Sequence, residues 1–207
     1  MSVTYQEFRG VENLVIAEVT CDDNESGNDH GYKTGTVYDL AGAGKVTKST
    51  EVNNDTKFYD NKPVIVINSK GKDEIGLEVS VISLEILAKI TGQTYDATTG
   101  SIIEGPADPK YFALGYKTYA TDGTARYVWR LKGMFSIPNE EANTKTDGTD
   151  SNGQELTYTG ITTTHKFTKN GNKGANALVT DDGLGLANVS TFFSTVTDPD
   201  TIAAKTP

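Results

Sequence analysis

The chain has 207 residues, 36% of them hydrophobic and 23% charged, with 21 Gly, 6 Pro and a formal net charge of −9. This is enough apolar material for one large β domain, and it excludes a chain that is disordered throughout. The acidic balance (pI near 4.7) excludes tight binding to nucleic-acid phosphates, which takes a dense Lys/Arg surface, and the single cysteine, Cys21, excludes an internal disulfide framework and a cysteine-based zinc site.

Met1–Gly10 has neither the basic start nor the apolar core of a secretory signal. The longest apolar runs, such as Pro63–Ile67, are far too short to cross a bilayer, so a cytoplasmic site of synthesis is expected. Leu14–Thr20 reads as a strand that ends in the polar turn Asp22–Gly27. Gly35–Leu40 and Lys45–Val52 read as short strands joined through Ala41–Gly44. Lys57–Asp60 follows, then Pro63–Asn68, whose apolar run predicts a short buried strand. Glu74–Ile82 alternates, placing Ile75, Leu77, Val79 and Val81 on one face and Glu78 and Ser80 on the other.

Ser83–Gly92 is the one predicted helix. Ser83 stands at the cap position, helix formers fill the interior, and Gly92 stops it. Its stripe Leu84, Leu87, Ile90 predicts packing on a sheet. Asp96–Pro109 is turn-rich, Tyr111–Tyr119 is a strand, and Thr121–Thr124 is a tight hairpin into the longest predicted strand, Ala125–Ile137. At roughly 3.3 Å per residue this strand spans about 40 Å, which suits a chain lining an extended shared surface. Alternation puts Tyr127, Trp129, Leu131, Gly133, Phe135 and Ile137 on one face and Arg126, Arg130, Lys132 and Ser136 on the other.

The stretch Pro138–Gly153 is too long for an ordinary hairpin loop, and its return strand, Gln154–Phe167, changes apolar register at Gly160, which predicts a bulge. Ala175–Thr180 is a last strand, and the tail from about Leu186 is expected to end as a flexible arm after a small apolar patch at Val189, Phe192 and Phe193. No repeat or linker divides the chain. A single all-β domain over residues 1–207, a β-sandwich or partial barrel with one short flanking helix at about residues 83–91, is the predicted architecture.

Catalytic parts are scarce. His30 sits in a Gly/Asp loop and His165 in the return strand, and no nucleophile elbow, His-Glu-x-x-His or Cys/His ligand cluster is present. Gly42–Lys45 resembles the end of a phosphate-binding loop, but Asp39 stands where its first glycine belongs and Val46 where a magnesium-binding hydroxyl belongs. Asp22, Asn24 and Ser26 open like a calcium loop, yet Lys33 replaces the closing glutamate, and Asp147, Asp150 and Asn152 lack fixed spacing. Glu140 and Glu141 are adjacent loop carboxylates rather than a placed pair. The expectation is a non-enzyme with no cofactor and no resident metal.

The order of segments carries a resemblance. Glu51–Asn61, the strand–helix unit Glu74–Gly92, Tyr111–Tyr116, Tyr127–Phe135 with its loop opened by Pro138, and Thr191–Val196 before a short polar tail together resemble the major tail proteins of non-contractile, siphovirus-type tailed bacteriophages. The resemblance implies a structural virion protein, assembled in a bacterial cytoplasm and resident in the phage tail. Its subunits would form rings of six stacked into a tube that conducts double-stranded DNA without binding it tightly.

Six chains giving four strands each would make roughly 24 strands at about 4.8 Å spacing, a backbone diameter on the order of 40 Å. The implied partners are other copies of the chain and the tape-measure, tail-terminator and tail-tip proteins, with no membrane. Pro138, Asn139, Glu140, Glu141, Asp147 and Asp150 are the candidate contacts between rings, and Glu74, Glu78 and Ser80 the candidate lumen-facing residues. Arg126, Arg130 and Lys132 are then expected to turn away from DNA or to pair with a neighbouring subunit's carboxylates. Another tail-type ring component is the nearest alternative. A β-sandwich carbohydrate-binding or adhesin module is an alternative of a different class.

Overall fold

The computed structural model describes residues 5–27, 30–138 and 153–205. Strands dominate: β1 (Phe8–Asp22), β2 (Tyr32–Asp39), β3 (Ala43–Tyr59) and β4 (Lys62–Val79) precede the helix α1 (Leu84–Thr91). The short pair β5 (Thr94–Asp96) and β6 (Ser101–Ile103) follows, then β7 (Phe112–Ala120), β8 (Ala125–Phe135), β9 (Gln154–Gly160) and β10 (Ala177–Asp181). The expected all-β fold with one short helix is what the chain adopts.

The main sheet is antiparallel and runs β2-β1-β7-β8-β9-β4-β3, with β10 added alongside β8. Because β7 takes one edge of β8, β10 and β9 share the other, β10 along Arg126–Arg130 and β9 along Gly133–Phe135. The sheet curls until its two edges approach. The Leu40 amide donates to the Leu14 carbonyl at 3.0 Å and the Ser80 amide to the Gly42 carbonyl at 2.9 Å, which ties the β2–β3 connection to β1 and β4. A partial barrel results.

The middle of this sheet, at β1, β7 and β8, is buried on both faces, by different means. Inside the curl, Leu14, Ile16, Ile75, Leu77, Leu114, Val128, Leu156 and Tyr158 pack together with Ile86 and Ile90 of α1. On the outer face, Val15, Ala17, Ala113, Trp129 and Leu131 are covered by Phe167, Phe192 and Val196. Helix α1 is capped as its sequence predicts, with Ser83 Oγ accepting from the Ile86 amide and Gly92 at φ 72°. Its apolar face differs from the predicted stripe: Ile86, Ala88 and Ile90 are buried, whereas Leu84 is exposed.

Three other expectations change. Strand β4 ends at Val79, so Val81 leaves the alternation and stands 77% exposed. Strand β8 ends at Phe135, and a register shift against β7 between Phe112 and Leu114 splits its apolar face. Tyr127, Trp129 and Leu131 join the outer cluster, while Phe135 joins the inner one. Gly133 sits at the crossing point, where a Cβ would come within 2.4 Å of Tyr158 Cζ; its absence lets the Tyr158 hydroxyl donate to the Phe112 carbonyl at 2.8 Å. Finally, β9 stops at Gly160 instead of continuing through a bulge, and the chain crosses to deliver Phe167 to the outer cluster.

The tail is not a free arm. Phe192 is buried, its carbonyl accepts from Trp129 Nε1 at 2.8 Å, and Phe193 stacks on Tyr127 with centroids 5.8 Å apart. Asp198 caps the following turn by accepting from the amides of Asp200 and Thr201, and Ala187 bridges to Ala204 to close the strap on itself. Trp129 and Phe192 together remove a large apolar area from water, which outweighs the entropy of ordering a short polar segment.

Candidate functional site

The feature that the fold does not explain internally is the β3–β4 hairpin. Its strands, 17 and 18 residues long, turn at Asp60 and Asn61, which take φ values of 50° and 61°. Left-handed conformations at both central residues define a type I′ turn, the geometry matched to strand twist. Near the body, Thr50 pairs with Asp73 and Lys48 with Ile75. Beyond this point every residue from Glu51 to Lys72 is exposed. The free part reaches roughly 30 Å at about 3.3 Å per residue.

This arm carries apolar side chains on both faces. Val64 and Val66 alternate with Ile65 and Ile67 and so point to opposite sides. Exposure of the arm's large apolar residues runs from 45% at Ile65 to 64% at Phe58. The Pro63–Asn68 run, expected to be a buried strand, is therefore uncovered among the described residues. Two-stranded hairpins are marginal in water unless they pack on something, and contiguous apolar patches on soluble proteins mark interaction surfaces.

Asp73 holds the base of the arm. It is 1% exposed, accepts from Thr50 Oγ1 at 2.6 Å and from Asn176 Nδ2 at 3.5 Å, and lies 3.2 Å from Lys48 Nζ and 3.7 Å from Lys70 Nζ. Burial opposes its ionisation, but the Thr50 hydroxyl and the Lys48 and Lys70 ammonium groups outweigh burial and set its pKa below the ordinary carboxylate value. A depressed pKa gives stability that is present above the unfolded-state pKa and lost as pH falls through the folded-state value. Asp73→Asn should therefore melt lower than the parent at neutral pH. The gap should close under strongly acidic conditions, as thermal unfolding across that range will read.

The candidate lumen residues are brought together on one surface. Glu74 and Glu78 are exposed on the outer face of β4, and Ser80 follows just after the strand. Glu78 pairs with Lys45 at 2.7 Å, Glu74 lies 3.7 Å from Lys72, and Ser80 Oγ accepts from the Gly42 amide at 2.9 Å. Across the pairing, Thr159 sits opposite Glu74, Thr157 opposite Gly76 and Glu155 opposite Glu78. The result is a polar strip across β3, β4 and β9, with three carboxylates against two lysines.

The basic residues of β8 find partners inside their own chain. Arg126 makes a bidentate pair with Asp181 at 2.7 and 3.0 Å, and Arg130 donates to the Tyr116 hydroxyl at 3.1 Å. Lys132 pairs with Asp22 at 2.5 Å, where Asp22 also accepts from the amides of Thr164 and His165, each at 2.8 Å. Burial works against ionising Asp22, yet Lys132 and the two amides outweigh it and lower its pKa. The carboxylates expected from a neighbouring subunit are thus supplied in cis for Arg126 and Lys132.

Of the candidate ring-contact residues, Pro138 is half-buried at the end of β8's extension, while Asn139, Glu140, Glu141, Asp147 and Asp150 lie outside the described residues. The two histidines, 135 positions apart in the chain, come to one loop cluster. His30 Nδ1 is 3.1 Å from Asp23 Oδ2, and His165 Nδ1 is 2.9 Å from the Asp23 carbonyl. Among the described residues no group of three or more His, Cys, Asp or Glu side chains is placed to hold a metal ion. Asp22 and Asp23, the opening of the calcium-like loop, are instead occupied by Lys132 and by the Gly31 amide.

Among the described residues the chain is an all-β protein built around a partial barrel, from which the long β3–β4 hairpin projects exposed. No protein-family model matches the chain, and no curated protein matches it.

Proposed function

We propose that this chain is the subunit of a phage-type tail tube: a structural protein that forms rings, six copies each, stacked into a conduit for double-stranded DNA. The observation that carries the reading is the β3–β4 arm, exposed along residues 51–72 with apolar side chains on both faces. Such a surface is consistent with an element buried only on assembly. An arm and a body that differ in surface make a head-to-tail contact, and contacts of that kind build rings and filaments.

The polar strip of Glu74, Glu78 and Glu155 supports a bore that DNA could slide along, since two lysines cannot neutralise a phosphate backbone there. Tape-measure, terminator and tip proteins are the partners this role entails. The carbohydrate-binding alternative is less well supported, because Trp129, the chain's one tryptophan, is fully buried and offers no stacking platform. Negative-stain microscopy and sedimentation of the purified chain test the proposal. Rings or hollow tubes are the expected result, and monomer alone at high concentration after long incubation overturns it.

A further inference from the structure

The pairing register sorts the arm's side chains onto two unlike faces. Residues directly opposite each other in an antiparallel pair point the same way, and the direction alternates along each strand. Asn54 and Thr56 stand opposite Asn68 and Val66, and Val52 and Phe58 extend that face along β3. The other face holds Asp55 and Lys57 opposite Ile67 and Ile65, then Tyr59 opposite Lys62. The register shift between Lys57 and Phe58 adds one residue on β4, which keeps Lys62 on the side of Tyr59.

Charge separates these faces. Between Val52 and Ser69 the arm carries four charged side chains. Asp60 is in the turn, and Asp55, Lys57 and Lys62 share the second face, where Lys57 Nζ lies 2.6 Å from Asp55. The first face has no charge over that span, and Lys70, which ends it, stands at the foot of the arm 3.7 Å from Asp73. Exposure divides the same way. Val52, Phe58, Val64 and Val66 on the uncharged face are 58–64% exposed, whereas Ile65, Ile67 and Tyr59 on the charged face are 45–57% exposed. The apolar side chains lie most open where no charged group keeps them in water.

We propose that the uncharged face of the arm is its contact surface, that a second copy of the chain covers it, and that the charged face stays in water. The inference rests on the tube reading and names the side of the arm that the contact uses. Polarity fixes the side, because burying Asp55, Lys57 and Lys62 costs far more desolvation than burying Val, Phe and Thr. Size selects the occupant. The face is two strands wide and roughly 30 Å long, a footprint of about 300 Å² at about 4.8 Å between strands. A standard stable interface takes roughly 800 Å² from each partner, so one arm face is too small to hold a single unrelated protein. Copies of one chain repeat the contact, each giving an arm and receiving another, and contacts that are weak singly add up in a closed ring.

The test places the same substitution at neighbouring positions of the full chain, Val66→Lys on the uncharged face and Ile65→Lys on the charged one. Both sites are exposed in the protomer, so each variant should melt close to the parent. Sedimentation velocity then reads assembly. Val66→Lys should raise the concentration needed to assemble by at least about tenfold, and Ile65→Lys by less than about twofold, because only the first sets a charge inside the contact. If either lysine unfolds the chain, Thr56→Lys against Asn53→Lys makes the same comparison from β3. The parent should pass from monomer to large assemblies, and a dimer that accumulates and grows no further overturns the many-copy contact. Equal effects at the two positions, a larger effect from Ile65→Lys, or none from either in a chain that assembles overturns the choice of face and leaves the tube reading standing. A parent chain that stays monomeric overturns both.

Discussion

Replacing Val52–Lys70 by an Asn-Gly turn should leave the fold intact and abolish assembly. Every residue removed is exposed, and the core of β3 and β4 lies on the other side of the Thr50–Asp73 pairing. Asn-Gly favours the type I′ geometry that Asp60 and Asn61 already adopt, so the shortened strands can close at the barrel rim. Stability should change by no more than about 1 kcal/mol, since exposed segments contribute little to folding. Assembly should fail outright, because the shortened chain loses Phe58, Tyr59 and the Val64–Ile67 run, the large apolar residues that the folded body leaves uncovered along the arm. Thermal unfolding and microscopy of the same preparation separate the two effects. Normal tubes from the shortened chain would remove the arm from the mechanism.

The largest loss of stability should come from Asp22→Ala. The carboxylate is 5% exposed and Lys132 13%, so the pair is nearly out of water. Removing one partner strands the Lys132 ammonium beneath Tyr111, whose ring centre is 4.7 Å from Nζ. It also leaves the Thr164 and His165 amides without their acceptor. Breaking a buried pair costs about 3–5 kcal/mol, and a chain of this length loses roughly 10 °C of melting temperature for that change. Asp22→Asn should fall between parent and alanine, because the amide oxygen still accepts from the backbone while the charge is gone. Since folding lowers the Asp22 pKa, the parent's advantage should be complete at neutral pH and fade as acid protonates the folded carboxylate. Equal melting temperatures for parent and Asp22→Ala would show that the pair contributes nothing net.

Much of the local structure was legible in the residues. Ser83 and Gly92 bracket α1 because a hydroxyl acceptor and a left-handed stop act within one turn of chain. The Tyr111–Tyr119 and Ala125–Ile137 segments, joined by Asp122 and Gly123, announce a hairpin for the same reason, and β7 and β8 follow within a residue or two. The mostly-β class with a single helix came from these local signals summed. Glu78 was placed on the exposed side of β4 by alternation alone.

What alternation cannot supply is the layer that covers a strand, and the misreadings fall there. Val64–Ile67 has the composition of a buried strand, but burial depends on a second surface, and among the described residues none covers the arm. The polar pair Asp60 and Asn61 was the available sign that Lys57–Asp60 and Pro63–Asn68 belong to one hairpin. Phe135 changes sides because its facing is set by register with β7, and a shift between Phe112 and Leu114 reverses the parity that the sequence implies. The tail reads as a flexible arm with a small apolar patch until Phe192 meets Trp129, 63 positions away. Asp22 and Lys132 become partners across 110 positions. Capping, turns and alternation are decided by atoms a few residues apart, so the sequence determined them. Coverage, register and ion pairing join residues far apart in the chain, so only the folded arrangement decided those.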